Sequence, residues 1–465
     1  MRNRYFGDKA FYKMTLLVAI PIMIQNGITN FVSLLDNIMV GRVGTVEMTG
    51  VSIVNTLLFV FNLTIFGAVS GAGIFTAQFF GKEDHEGIRY TLRYKLIISV
   101  LLTVLGVTVF LLFGEPLIML YLRGEGEAKN ITASLLYAKR YLRIMLVGLA
   151  PFAIVQCYSG TLRETGETSV PMWAGIAAVC VNLFFNYLLI FGKFGMPKLG
   201  VEGAAIATVL SRFVELAIIA IWTHRHVQKN PFITGTYRSM YIPRDLVKHI
   251  TTKGLPLLIN ETLWAGGMAL LSQSYSVRGY MVVSALNISN TIVNVFNVAF
   301  LAMGNAVGII VGQLLGAGKN EEAKSTVRKL ITFSVLLSAG VAMVMAAFSG
   351  LFPKAYNTDA SIRSLATGFI LSAAVFMPVN AFANASYFTL RSGGKTLITF
   401  LFDSFFVCVV SVPVAYVLSR FTSIPIIPLY IAVQALDLIK CILGYTLIKK
   451  GIWIHNIVET KEGAQ

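Results

Sequence analysis

Long apolar runs alternate with short polar segments along the whole chain. Each run has about the 20 residues that a helix needs to cross a bilayer. They lie near residues 14–40, 50–79, 95–116, 143–161, 169–191, 202–223, 253–277, 283–315, 329–352, 361–389, 397–418 and 425–447. The runs lack the alternating pattern of barrel strands, and a helix satisfies its own backbone groups in lipid. The pattern therefore predicts an all-α polytopic membrane protein with twelve transmembrane helices.

The second half of the chain repeats the first. A shift of 235 residues superposes prolines, glycines and polar residues in one register. The matched pairs include Pro21 with Pro256, Asn55 with Asn290, Gln78 with Gln313, and Gly81 with Gly316. Each half holds six spans, so the repeat is parallel, as in transporters that bind substrate between two halves. We predict two pseudo-symmetric six-helix bundles: an N-lobe at 1–223, a cytoplasmic interlobe linker at 224–252, and a C-lobe at 253–465 with a short cytoplasmic tail.

Composition excludes a soluble protein, because 56% of the residues are hydrophobic and only 13% are charged, against about 25% charged in soluble domains. The net charge of +16 would suggest nucleic acid as a partner of a soluble chain, but its distribution points elsewhere. With the N-terminus inside, the inner loops and tails hold twice as many Lys and Arg residues as the outer loops. The positive-inside rule then predicts both termini in the cytoplasm of a bacterial inner membrane, although the basic segment 123–143 argues locally against it.

One face of the first span is polar. Gln25, Thr29 and Asp36 recur there at helical spacing, together with Asn26 and Ser33. A carboxylate inside a membrane is costly unless it faces a cavity or a partner, so Asp36 is the leading functional candidate. The alternative is an Asp that merely lies at the outer end of its helix.

Three further side chains in the N-lobe carry oxygens suited to a cation. Asn182 and Asn186 lie one turn apart in the fifth span, and Thr208 lies in the sixth. Neutral oxygens beside one carboxylate suit Na⁺ and equally suit an Asp that takes a proton.

The C-lobe distributes its polar residues differently. Glu261 lies deep in the seventh span, and its repeat partner is an asparagine. The eighth span carries a stripe of amides on one face, formed by Asn287, Asn290, Asn294 and Asn297. Such a stripe predicts a cavity wall, although asparagines can also join helices through hydrogen bonds.

Several other residues are candidates for the cavity or for structural pairing. Asp403 either lines the cavity or caps its helix, whereas Asp437 is expected to pair with Lys440 three residues on. Asn55 and Tyr387 are candidate substrate contacts, since an aromatic face can bind a flat organic cation.

A membrane-embedded enzyme is the alternative from a different class, and the sequence disfavours it. Such an enzyme needs a nucleophile with a base, or a metal site rich in histidine. Every histidine lies in a loop or a tail, and all four cysteines lie in apolar spans. We expect no catalytic residues, no disulfide and no cofactor apart from a coupling ion, Na⁺ or H⁺.

Four segments resemble signatures of the multidrug and toxic compound extrusion (MATE) transporters. They are residues 35–41, 162–166, 182–192 and 200–208, and with the twelve spans the resemblance covers nearly the whole chain. It implies two six-helix bundles around a central cavity. It also implies antiport: organic cations such as drugs leave in exchange for Na⁺ or H⁺, by rocker-switch alternating access.

The resemblance also implies roles for individual residues. Asp36 matches the first-helix acid that titrates or binds the cation, and Asn182, Asn186 and Thr208 match the neighbours that complete this site, a possible Na⁺ site. In one branch of the family the second asparagine position is Asp, so Asn186 leaves the coupling ion open. Glu261 resembles the seventh-helix acid of bacterial members with a carboxylate in each lobe. We hypothesise that substrate and coupling ion compete for these carboxylates.

The nearest alternative is a lipid-linked oligosaccharide flippase of the same superfamily. Its large anionic substrate would favour a cavity rich in Arg or Lys, and Arg212 is the one such residue expected inside an N-lobe span. We therefore expect small organic cations as substrates, membrane lipid as surroundings, no nucleic acid as a partner, and a protein that works as a monomer.

Overall fold

The computed structural model describes residues 5–122, 128–356 and 358–459, and within these ranges the chain forms helices and no strand. The principal helices are α1 (Lys9–Gly41), α2 (Thr45–Gly81), α3 (His85–Leu122), α4 (Ala128–Val147 with Leu149–Glu164), α5 (Ser169–Phe191), α6 (Val201–Arg225), α7 (Arg244–Ser276), α8 (Tyr280–Gly316), α9 (Asn320–Ala347), α10 (Ala360–Ser392), α11 (Thr396–Phe421) and α12 (Ile426–Lys449). Short 3₁₀ turns lie at Pro231–Ile233 and Phe352–Ala355.

Most of these helices could cross a membrane. Among the described residues, ten are long and apolar enough to do so, and the two parts of α4, which meet at a 45° bend, give an eleventh if they are counted as one span. The remaining predicted span coincides with α7, a 33-residue helix whose apolar sequence is interrupted by Asn260 and Glu261. Each predicted span thus coincides with a helix, and the predicted fold class is confirmed.

The chain forms two compact units, which we call the first unit and the second unit. The first unit comprises Ile24–Thr76 and His85–His249, and the second comprises Met1–Met23, Ala77–Asp84 and Ile250–Gln465. Each unit therefore consists mostly of one half of the sequence, while the second also takes the start of α1, the last residues of α2 and the turn after them. The predicted lobe boundaries stay a prediction.

The C-terminal ends of α2 and α8 approach closely within the second unit. A Cβ atom at Gly81 would lie 1.9 Å from the carbonyl oxygen of Gln313, and one at Gly316 would lie 1.9 Å from that of Gln78. No side chain fits at either distance, so glycine is required at both positions. These are the residues that the 235-residue repeat pairs, and the repeat therefore appears in the structure as a reciprocal contact.

The C-terminal segment packs on the same ends of α2 and α8. The buried Gln78 side chain donates to the carbonyl oxygens of Ser392 (2.8 Å) and His455 (3.2 Å), and accepts from the N–H of Ile457 (2.8 Å). Trp453 is 1% exposed and joins the apolar core of the second unit. The segment that follows α12 is therefore an integral part of this unit.

The segment predicted as the interlobe linker folds against α3 in the first unit. The buried Arg93 guanidinium donates to the carbonyl oxygens of Gly235 (2.8 Å), Thr236 (2.9 Å) and Tyr241 (2.9 Å). Arg89 adds a bond to the carbonyl of Phe232 at 3.2 Å. A planar guanidinium offers several donors in fixed directions, so one side chain holds several loop carbonyls.

The middle of α11 departs from regular α-helical geometry. Its backbone is π-helical over Leu401–Phe405 and Val407–Ser411. A π-helical turn holds an extra residue and therefore rotates the side chains that follow, and such turns are frequent at functional sites. Asp403 lies inside the first π-helical stretch, well after the start of α11, so the prediction that it could cap the helix is wrong.

Candidate cation and substrate sites

A chain of hydrogen bonds links four predicted residues in the first unit. The Asn186 Nδ2 donates to Asp36 Oδ1 at 2.6 Å and to Asn182 Oδ1 at 3.0 Å. The Asn182 Nδ2 donates to Thr208 Oγ1 at 3.2 Å, and that hydroxyl donates to the carbonyl of Ala204. Asp36, Asn182, Asn186 and Thr208 are therefore brought together by α1, α5 and α6.

The local sequence of α5 and α6 explains this assembly. Asn182 and Asn186 are one helical turn apart and share a face. Gly192 ends α5 with φ +65°, a left-handed conformation that glycine adopts without steric cost. A Cβ at Gly203 would lie 2.7 Å from the Leu189 carbonyl oxygen, so this glycine lets α6 approach α5. Thr208, farther along α6, then reaches Asn182.

The oxygens around Asp36 are of the type that binds a hard cation. Asn186 is fully buried, and within the described part of the chain its Oδ1 has no hydrogen-bond partner. A buried acceptor without a donor is uncommon and calls for an explanation such as an ion. The described residues contain no group of three or more His, Cys, Asp or Glu side chains that could hold a metal. One carboxylate with neutral oxygens suits a monovalent hard cation or a proton.

Tyr141 connects the predicted residue Asn55 with this site. Its hydroxyl donates to Asn55 Oδ1 at 3.2 Å, and the buried ring lies within electrostatic range of Asp36 and Arg212. Asn55 itself is exposed. Tyr141 could not be found from the sequence, because it lies just before the predicted span 143–161 and no pattern marks it.

Gln25 and Thr29 lie on the same polar face of α1 and bind other partners. The Arg163 guanidinium donates to Gln25 Oε1 at 2.5 Å, and Thr29 donates to the Gln25 carbonyl at 2.8 Å. Arg163 also lies within electrostatic range of Glu164 and Glu215. Gln25, on the polar face of α1, therefore contacts Arg163, which lies near two acidic residues. This contact was not predicted from the sequence.

A basic residue at the edge of a predicted span is buried in the first unit. Lys95 is the first residue of the predicted third span, but α3 begins earlier, at His85, and the Lys95 side chain is fully buried. Its ammonium forms an ion pair with Glu164 and lies 3.1 Å from Thr161 Oγ1. The prediction about Arg212 depends on where the membrane lies and stays a prediction. Because Glu164 balances its charge, Lys95 does not make the region basic.

A second polar cluster forms in the second unit around the buried Asn260. Its Nδ2 donates to Asp403 Oδ2 at 3.1 Å and to the Tyr387 hydroxyl at 3.4 Å. The Ser404 hydroxyl donates to the Asn260 carbonyl and Oδ1, both at 2.6 Å. Glu261 lies beside it, hydrogen-bonded to Asn260 and within electrostatic range of Asp403. Three predicted residues, Glu261, Tyr387 and Asp403, are thus neighbours.

Basic residues from α10 and α12 complete the cluster. Lys440 Nζ lies 3.3 Å from Asp437 Oδ1 and 3.7 Å from Asp403 Oδ1. The predicted pair of Asp437 with Lys440 is confirmed, and the contact of Lys440 with Asp403 was missed. Arg391 forms a hydrogen bond with Tyr387 and lies within electrostatic range of Glu261.

The predicted asparagine stripe lies on α8. Asn287, Asn290 and Asn294 are exposed, and Asn297 is partly buried. Three of these amides are therefore not packed against protein. Their role in a cavity wall stays a prediction.

Comparison with known proteins gives the family. The MatE family model matches residues 21–188 and 256–417. The chain is 25% identical over 454 residues to the probable multidrug resistance protein NorM of Thermotoga maritima, covering 97% of this chain and 95% of that protein. It is 24% identical to the probable multidrug resistance protein YoeA of Bacillus subtilis, covering 92% and 91%.

Solved structures share the fold. An outward-facing multidrug resistance MATE family transporter of the MOP superfamily superposes with a TM-score of 0.84 at 21% identity, covering 97% of each chain. A MATE transporter in the straight conformation gives 0.85 at 21% identity, again with 97% of each chain covered. The apolar helices make this chain a multi-pass membrane protein, and MATE proteins are transporters rather than enzymes. With the family model matching most of its length, this chain belongs to the MATE family.

Proposed function

We propose that this protein is a secondary active antiporter that exports small organic cations, such as drugs and toxic compounds, in exchange for Na⁺ or H⁺. The relatives named as multidrug resistance proteins support the substrate class. The observation that carries the proposal is the contact of Asp36 with the amide nitrogen of Asn186, whose side-chain oxygen is buried without a partner among the described residues. This arrangement supports binding of a small cation at Asp36.

In this proposal the carboxylate of Asp36 binds either the coupling cation or the cationic substrate. A single negative charge in a site of low dielectric binds one cation strongly, and a second cation is repelled. Loading with Na⁺ or H⁺ from outside would displace the substrate outward, and emptying to the inside would let the next substrate bind. Competition therefore couples the two movements, and no cofactor beyond the ion is needed.

We further propose that two six-helix lobes, at 1–223 and 253–465, alternate access by a rocker-switch movement in a bacterial inner membrane. Both termini and the linker at 224–252 would face the cytoplasm, and one chain would suffice for transport. The parallel repeat supports this part of the proposal, because transporters with such repeats bind substrate between the repeats.

Efflux of a fluorescent organic cation from proteoliposomes tests the function. Imposed Na⁺ and H⁺ gradients are applied separately to the wild type, to Asp36→Asn and to Asp245→Asn, which changes an exposed acid at the start of α7. We expect one gradient to drive efflux, with at least a tenfold loss in Asp36→Asn and none in Asp245→Asn. Gradient-driven efflux by a folded Asp36→Asn would overturn the role of Asp36. Absence of efflux with either gradient would favour a flippase for lipid-linked, anionic cargo.

A further inference from the structure

Lys440 lies among the acids of the second unit and is almost entirely buried. Its side chain is 9% exposed, and its ammonium reaches Asp437 and Asp403 from α12. The ammonium also lies 5.3 Å from the centroid of the Phe406 ring, within the range of a cation–π contact. A buried lysine held by two carboxylates and an aromatic ring is a fixed cation in the place where an exchangeable cation could bind.

Lys440 supplies a positive charge that two carboxylates of the cluster share. Glu261, Asp403 and Asp437 are the cluster's three acidic residues, and Arg391 and Lys440 are its two basic residues. Without Lys440, two carboxylates would lose their shared positive partner in a partly buried site. Leaving such charges uncompensated is strongly unfavourable, so a cation or a proton from solution would take the place of the ammonium.

We propose that Lys440 is a resident counter-cation that keeps Asp403 and Asp437 from binding the coupling ion. This inference rests on the proposed cation-coupled export. In it, neither Asp403 nor Asp437 exchanges the coupling ion during transport. Lys440 is thus a positioning residue: it fixes how many cations the protein takes up, and Asp36 keeps the exchangeable site.

The geometry around Asp403 supports this role. Each of its carboxylate oxygens already has a partner, because Oδ2 accepts from Asn260 and Oδ1 faces Lys440. Asn260 is itself fixed by the Ser404 hydroxyl, whose position follows from the π-helical geometry of α11. Asp403 therefore differs from the first-unit site, where Asn186 keeps a buried oxygen without a donor among the described residues.

Counting bound cations in purified full-length protein tests the proposal. All variants carry Asp36→Asn, so the first-unit site does not contribute. Na⁺ binding is measured by calorimetry at pH 8.5 with choline chloride as the ionic-strength control, and proton uptake by the infrared carboxyl band between pH 5 and 8. We expect Lys440→Gln to gain one bound Na⁺ or one titrating carboxyl group relative to its parent. Lys440→Arg should gain neither, because it remains cationic.

Two controls separate this role from a merely structural ion pair. Lys449→Gln removes an exposed lysine at the end of the same helix and should gain no cation. Adding Asp403→Asn to Lys440→Gln should abolish the gain. A folded Lys440→Gln that gains neither a Na⁺ nor a proton would overturn the proposal, whatever the efflux assay shows for Asp36.

A variant that keeps Lys440 guards against misfolding of Lys440→Gln. With Asp36 intact, Asp403→Asn should bind as many coupling cations as the wild type, because the resident ammonium is still neutralised by Asp437. Loss of one bound cation in Asp403→Asn would show that Asp403 itself takes the coupling ion, and would equally overturn the proposal.

Discussion

The side chain of Asn186 joins the acid of the first-unit site to its neutral oxygens. One amide nitrogen contacts both Asp36 and Asn182, while the amide oxygen stays buried. A hydrogen bond to a charged group contributes about 1.5–3 kcal/mol. Asn186 therefore orients the carboxylate of Asp36 and also offers an oxygen to the cation.

Replacing Asn186 with leucine, of similar size, should weaken cation coupling. We expect the Na⁺ or H⁺ concentration for half-maximal efflux to rise by about tenfold to a hundredfold, which corresponds to the energy of one such bond. Efflux from proteoliposomes over a range of cation concentrations measures this shift. Asn320→Leu, at an exposed asparagine that begins α9, is the control. An unchanged half-maximal concentration in Asn186→Leu would contradict the assigned role.

Sequence reasoning is effective at this scale where spacing on one helix carries the information. The one-turn spacing of Asn182 and Asn186 places both amides on one face, and the resemblance links them with Asp36. It is ineffective for Lys95 and Glu164, because a charge at the edge of an apolar run looks the same whether it faces water or pairs with another helix. The contact of Lys440 with Asp403 depends on packing between α11 and α12, which no local pattern records.

At the scale of helices, the reciprocal glycine contact fixes how closely α2 and α8 pack. The repeat in the sequence pairs Gly81 with Gly316, but it does not reveal that the two positions meet. The π-helical stretch of α11 is likewise unmarked, because the run 397–418 has an ordinary apolar composition. Helix positions could thus be predicted from apolar length, whereas these distortions and close approaches depend on neighbouring helices.

Adding one methyl group at the glycine contact should destabilise the protein. In Gly316→Ala the new Cβ would lie 1.9 Å from the Gln78 carbonyl oxygen, so α2 and α8 must separate. Forced repacking of this kind costs about 1–3 kcal/mol, and we expect a lower melting temperature in detergent. Gly340→Ala, in α9 where nothing lies within 4 Å, should melt like the wild type. Equal melting temperatures for the two variants would show that the backbones can separate at no cost.

At the scale of the whole molecule, the two sequence halves use equivalent basic residues differently. The repeat pairs Arg93 with Arg328. Arg93 is buried and binds the segment after α6, whereas Arg328 is exposed on α9. The repeat could be read from the sequence, but this difference could not, because it depends on the loop that each arginine meets. The polypeptide between the halves is therefore an ordered part of the first unit rather than a free tether.

This order predicts that Arg93 protects the linker from proteolysis. Lysine keeps the charge but lacks the planar fork that reaches several carbonyls at once, so Arg93→Lys should release Gly235 and Tyr241. When opening is fast relative to cleavage, the cleavage rate follows the population of the open state. Loss of bonds worth about 1.5–3 kcal/mol should then raise trypsin cleavage at Arg238 by at least tenfold.

The matched control for this experiment is the repeat counterpart, Arg328→Lys, which changes an exposed arginine and should leave cleavage unchanged. Detergent-solubilised protein makes the linker accessible whichever way the chain is oriented, and the fragments separate by size. Equal cleavage of the two variants would mean that the contacts of Arg93 do not hold the linker. Faster cleavage in Arg93→Lys alone would show that the contacts of Arg93 hold the linker against α3.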